Sequence, residues 1–380
     1  MSAGRSPRRG RARARVAVAC ATLLVLLLPA LTAARRLAEP ARPDELARLA
    51  RADARDASGL ETGPMRAFFA RAGAFAPLPD GDAERQRAVV RARLWQVATI
   101  LATTFALYTA VVSARGRLHA LLACIALALL PAVAGAGHVL RPEGPATALS
   151  AFAVLLLVGV AAPTRRHGGS WRGPWSPTAV RWGLAVCAVC AIGFAVAMLP
   201  AHAAVLLAPG AVLFVAAAQI ALRAVRIVRR GGWLRLPVRA INQRLLPWTC
   251  MALAAPAAAL AMLSQALRGP ADAVAATTGA GGVLPTGAGG VVVGVLAAVG
   301  ALVAVVQVGG SLRRGGHITG ALVLFAAAAV AFAARVQVPA DRDALPLAPA
   351  IAVLTAEGVY ALLAIGWRAL GERRRPLTSP

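Results

Sequence analysis

A chain of 380 residues with 59% apolar content, mean hydropathy +0.68 and net charge +26 is too hydrophobic for a soluble globule built on one core. All 41 basic residues are Arg. The absence of Lys excludes a lysine Schiff base and a Walker A phosphate site, both of which need that ammonium group.

The charge is not spread evenly. About ten apolar runs, each roughly long enough to cross a bilayer, alternate with connections of two kinds. Residues 1–15, 113–118, 163–182, 223–244, 311–317 and 367–380 hold 25 Arg and one acid, Glu372. The other connections hold 16 Arg and 13 of the 15 acids. Short Arg-rich connections stay in the cytoplasm, so the alternation predicts both the number of spans and their orientation. The expected fold is all-α: a polytopic transmembrane bundle of about ten spans, both termini inside, with a small extracytoplasmic helical segment. The Arg excess then suits topology and anionic lipid headgroups on the cytoplasmic face, and nucleic acid is not an expected partner.

Residues 1–34 comprise a basic N-terminus and a first apolar run at 16–34. A cleaved signal peptide and an uncleaved anchor are both open. The anchor is favoured because the run is long for a signal core and Arg35-Arg36 make a poor mature start. Residues 35–93 form the extracytoplasmic segment. Pro43-Asp44-Glu45 and Pro64 read as helix starts, and Asp80-Gly81-Asp82 is expected to cap a third helix running unbroken into the second span. About 58 residues bury little core alone, so these helices should lie on the bundle.

Nine further spans are expected within 94–367, at 94–112, 118–140, 146–162, 183–200, 203–222, 245–267, 291–310, 318–334 and 347–366. Pro29, Pro131, Pro209 and Pro256 fall inside spans and are expected to kink them. Arg223, Arg226, Arg230 and Trp233, in the most basic inner connection, are expected to contact lipid headgroups. Residues 269–290 read as a flexible outer linker with a short duplication of Thr-Gly-Ala-Gly-Gly-Val. Residues 368–380 form a basic cytoplasmic tail.

Chemistry is sparse. There is no His-Glu-x-x-His, no Gly-x-Ser-x-Gly and no Asp within a span, so the parts of zinc, serine and paired-aspartate hydrolases are missing. No catalytic residue, metal site or cofactor is expected. Cys20, Cys124, Cys187, Cys190 and Cys250 read as small packing residues, although Cys187 and Cys190 share a helix face. His119 and His317 lie towards the inner face and His138 and His202 towards the outer face, near enough to span ends to be read as facing headgroups or water rather than haem.

Glu357 is the sole acid within a span, close to its middle, with Tyr360 on the same face and Thr355 nearby. A carboxylate at that depth must be protonated, paired or wetted. Burial away from water disfavours the charged form, and no Arg is expected at its level, so Glu357 is expected to carry its proton. Glu357 and Tyr360 are therefore the candidate substrate- or ion-binding pair.

Three functions follow from these features. The first is a transporter or permease-like protein using the intramembrane carboxylate. The second is a membrane scaffold, or a subunit of a larger complex with a membrane-protein partner and no site of its own. The third is an enzyme: an acid-bearing first outer loop followed by many spans is similar, in architecture, to membrane glycosyltransferases that use lipid-linked sugars.

Overall fold

The computed structural model describes residues 7–35, 37–40, 43, 81–136, 143–161, 177–198, 207–229, 238–266, 288–314, 320–321, 323–328 and 345–373. The expected helix start at Pro64, the acids Asp44 and Glu45, and residues 269–287 of the expected linker lie outside them, while Pro43 is helical and residues 288–290 belong to a helix rather than to a linker.

The described residues are almost entirely helical and contain no strand. In chain order the helices are α1 (Pro7–Ala34), α2 (Asp82–Arg115), α3 (Arg117–Leu129), α4 (Pro131–Ala136), α5 (Glu143–Ala161), α6 (Pro177–Met198), α7 (Leu207–Arg229), α8 (Val238–Ala266), α9 (Ala288–Arg314) and α10 (Ala348–Arg373). Residues 320–321 and 323–328 are also helical, and a 3-10 turn, Leu345–Leu347, leads into α10. Among the described residues, six helical stretches are long and apolar enough to cross a membrane: Val16–Ala34, Asp82–Arg115, Gly144–Ala161, Ala179–Val196, Gly289–Gly310 and Ala348–Arg368. Shorter apolar helices occupy Arg117–Leu129, Pro209–Leu222 and Leu245–Ala261. Helices suit such a composition because each satisfies its backbone groups within its own segment.

α2 joins the expected third outer helix to the second span without a break. Its N-cap is Gly81, which makes no side-chain capping bond, while Asp82 and Glu84 supply negative charge in the first turn. The prolines act unequally. Pro29 and Pro256 lie inside α1 and α8. Pro131 ends α3 outright: Leu130 before it is extended (φ −76°, ψ 129°), the conformation that a following proline ring favours, and α4 starts at the proline itself. Pro209 is a correction. It occupies the third position of α7, where its missing N–H breaks no bond and a kink is not required.

α10 is the centre of the packing. From Ala350 to Gly358 every residue is buried, because α3 lies along one side and α9 along another. α3 also packs on α1 and α2, α2 on α5, α5 on α6, and α6 on α8. The shared core includes Ile100, Leu107, Leu127, Leu157, Ile351 and Leu354.

α9 and α10 approach each other very closely. A Cβ added at Gly300 would fall on the Leu354 carbonyl, and one added at Gly358 would fall on the Leu296 carbonyl. Small residues at such a crossing let two backbones come together where lipid gives no hydrophobic drive for association.

Arg93, only 1% exposed, holds the chain that follows α1. Its guanidinium donates to the carbonyls of Leu37 (3.1 Å), Glu39 (2.6 Å) and Pro40 (3.2 Å). Gln86 adds a bond to the Glu39 carbonyl at 3.0 Å. One α2 face thus satisfies three backbone acceptors that no helix would satisfy.

Candidate functional site

Glu357 is 3% exposed and lies at the meeting of three helices. Its Oε2 accepts a hydrogen bond from Arg115 Nε at 3.2 Å. Its Oε1 accepts from Arg115 Nη2 and from Gln307 Nε2, the latter at 3.0 Å. Arg115 closes α2, Gln307 belongs to α9 and Glu357 to α10. The fork of the guanidinium matches the two carboxylate oxygens, a geometry that Lys cannot supply.

The turn between α2 and α3 builds half of this arrangement. Gly116 has φ +103°, a conformation that L side chains rarely adopt, and its N–H bonds to the carbonyls of Val111 (3.2 Å) and Val112 (3.1 Å). Its own carbonyl accepts from Ala120 at 3.2 Å, which starts α3 at once. Arg115 and His119 therefore flank one tight turn, and both reach Glu357. His119 Nε2 lies 3.4 Å from Oε2 without forming a hydrogen bond.

Tyr360 joins through His119 rather than through the carboxylate. The two rings are 3.9 Å apart at their centroids and inclined by 37°. Tyr360 is 38% exposed, so this stack leads from the buried acid to the exterior of the bundle. Phe325 lies under the guanidinium, with Arg115 Cζ 5.2 Å from its ring centroid. Thr355 is buried, and its hydroxyl has no hydrogen-bond partner.

The expectation that no Arg shares the depth of Glu357 is thus overturned, and with it the reason for expecting an unaccompanied, protonated carboxyl. Ile100 of α2 and Ala348 of α10 line one cavity and mark a common level. From there Arg115 is fifteen residues along α2, about 22 Å, while Glu357 is nine along α10, about 14 Å. An extended arginine side chain spans most of that difference, and helical side chains tilt back towards the N-terminus, the direction needed here. Assigning Arg115 to the connection 113–118 placed its backbone but not its charge. Gln307 and His119 were missed for the same reason. The one available signal was Arg115-Gly116-Arg117, too short a connection to carry its arginines far from the bundle.

The other candidates are not part of this cluster. Arg223 and Arg226 lie on α7 with side chains outside the described residues, and Arg230 and Trp233 lie outside them altogether. Cys187 and Cys190 are exposed on α6, Cys20 is exposed on α1, Cys250 is half-buried, and Cys124 is buried in α3. Among the described residues no three His, Cys, Asp or Glu side chains converge as a metal site would require. His138, His167, His202 and His317 are outside the described residues.

No family model matches the chain, and no curated protein or solved structure matches it either.

Proposed function

We propose that this chain is a multi-pass protein of the cell membrane with transporter-like activity, in which Glu357 exchanges a proton and Arg115 is the partner of its charged state. In this reading the chain makes about ten crossings with both termini in the cytoplasm, and its Arg-rich connections rest on anionic headgroups. The observation that carries the function is the convergence of Arg115, Gln307 and Glu357 from three helices, with His119 and Tyr360 stacked between the acid and the exterior.

With Glu357 ionised, three hydrogen bonds tie α2, α9 and α10 together. A bond to a charged group is worth about 1.5–3 kcal/mol. Protonating Glu357 removes the charge that holds Arg115, and the loss is comparable with the few kcal/mol that separate two conformations of one protein. Proton binding would therefore favour an arrangement in which α10 is free to move relative to α2. His119 and Tyr360 supply titratable or hydroxylic groups along the route by which that proton arrives.

The test is solute flux driven by a pH gradient in liposomes, wild type beside Glu357→Gln. The amide keeps shape and hydrogen bonding and removes the titrating proton, so loss of pH-driven flux in a folded variant is the expected outcome. Equal flux in the two proteins would make Glu357 a packing residue and put the scaffold reading ahead. The glycosyltransferase-like reading would be carried by Asp44 and Glu45. Abolition of a glycosyl-transfer activity by Asp44→Asn or Glu45→Gln would promote it.

A further inference from the structure

A second polar cluster, remote from Glu357 along α10, has no part in the reading above. Gln96 on α2 is completely buried, and neither its amide oxygen nor its amide nitrogen has a hydrogen-bond partner. Thr147 on α5 is 2% exposed, and its hydroxyl is likewise without a partner. Gln96 packs against Gly144, which lies one helical turn before Thr147: a Cβ added there would fall on the Gln96 side chain and lie 2.7 Å from Thr99 Oγ1.

Thr147 lines a cavity of about 10 Å³ together with Thr103, Gly144, Ile100, Leu127 and Leu345, and Gln96 packs beside it against Gly144. Gln96, Ile100 and Thr103 follow one another along a single face of α2, and Gly144 and Thr147 share a face of α5. Thr103 already donates to the Thr99 carbonyl (2.8 Å) and Thr99 to the Gln96 carbonyl (2.7 Å), which leaves the Thr103 oxygen as an acceptor.

We propose that this cavity between α2 and α5 is a binding site for one water molecule, held by Thr147 and Thr103. Three facts select water over other occupants. The space matches one water-sized sphere and no larger ligand. The surrounding groups offer both donors and acceptors, which suits a ligand that does both and carries no charge. Buried polar groups in native proteins are nearly always satisfied, and the deeply buried Thr147 hydroxyl lines this space without a partner. Gly144 is part of the site, since any side chain there would occupy the Gln96 amide position.

Radiolytic labelling of the full-length protein in lipid nanodiscs, with exchange into oxygen-18 water, tests this directly. A bound water generates hydroxyl radicals in place, so Leu127 and Leu345 should be labelled promptly although both are buried. Leu157, fully buried in the same core away from the cavity, should not be. Thr147→Val preserves volume and removes the hydroxyl; alone or with Thr103→Val it should reduce labelling of Leu127 and Leu345 to the level of Leu157. Wild-type labelling of the lining no greater than that of Leu157 would overturn the proposal, even if neither variant folds. So would labelling unchanged by both substitutions, or labelling that changes when sodium is replaced by choline, which would identify a cation site instead.

Discussion

Arg115 and Glu357, 242 residues apart, form a forked ion pair inside the helical bundle. Burying two opposite charges is tolerable only while both are present, because either one alone is left in a poorly polarisable surrounding.

The stability of variants at this pair should therefore be strongly non-additive. Arg115→Gln leaves the Glu357 charge without its guanidinium and should destabilise the protein by about 3–5 kcal/mol. Combining it with Glu357→Gln, which removes the orphaned charge, should recover a large part of that loss. Thermal unfolding in detergent across the double-mutant cycle measures the coupling. A double variant as damaged as the sum of its singles would show that the two residues do not act as a pair.

The crossing of α9 on α10 offers a second test. Gly300→Val and Gly358→Val each drive a side chain into the facing helix backbone and should cost more than the 1–3 kcal/mol typical, as a rough guide, of overpacking. Gly366 and Gly309 have open space where a Cβ would stand, so alanine at either should be close to neutral. Similar melting temperatures for all four variants would contradict the close approach. Because Gly358 adjoins Glu357, either valine variant should also disturb the bond from Gln307.

Arg93 predicts the behaviour of the segment that leaves α1. Arg93→Leu keeps apolar bulk but removes three carbonyl partners, each bond being worth about 1.5–3 kcal/mol to a charged donor. Limited proteolysis should then cut near residues 37–43 far faster than in the wild type, with the helices still protected. An unchanged cleavage pattern would mean that this segment is held by other contacts.

Orientation is open to reporter fusions. Fusions after Arg117, Arg166, Arg235, Arg314 and Arg375 should report the cytoplasm, and fusions within 40–90, 270–288 and 338–344 the outside, if the Arg alternation directs insertion. Two adjacent fusions on the wrong side would remove a crossing from the proposed ten.

How far the chain could be read without its structure differs between backbone and side chains. The helical runs lay where hydropathy put them: α5 (Glu143–Ala161) against 146–162, α6 (Pro177–Met198) against 183–200, α10 (Ala348–Arg373) against 347–366. The continuity of α2 through Asp82 was legible because a helix start leaves a local mark in acids at its first turn. The expected span 118–140 is divided at Leu130 and Pro131, where a kink alone was expected, because the proline ring holds Leu130 extended. Glu357 stood out for an equally local reason, the cost of any carboxyl among apolar residues.

What the sequence by itself determined, then, lies within a turn or two of chain: helical class, the approximate places of several runs, and the identity of the buried acid. Tertiary structure alone decided the company that acid keeps. Arg115, Gln307 and His119 come from other helices, and whether a long side chain on one helix reaches a given depth on another depends on crossing geometry and on the Gly116 turn. A pairing interaction across 242 residues leaves no periodicity or spacing in the chain, because its energy depends on distances in space and not on separation along the backbone.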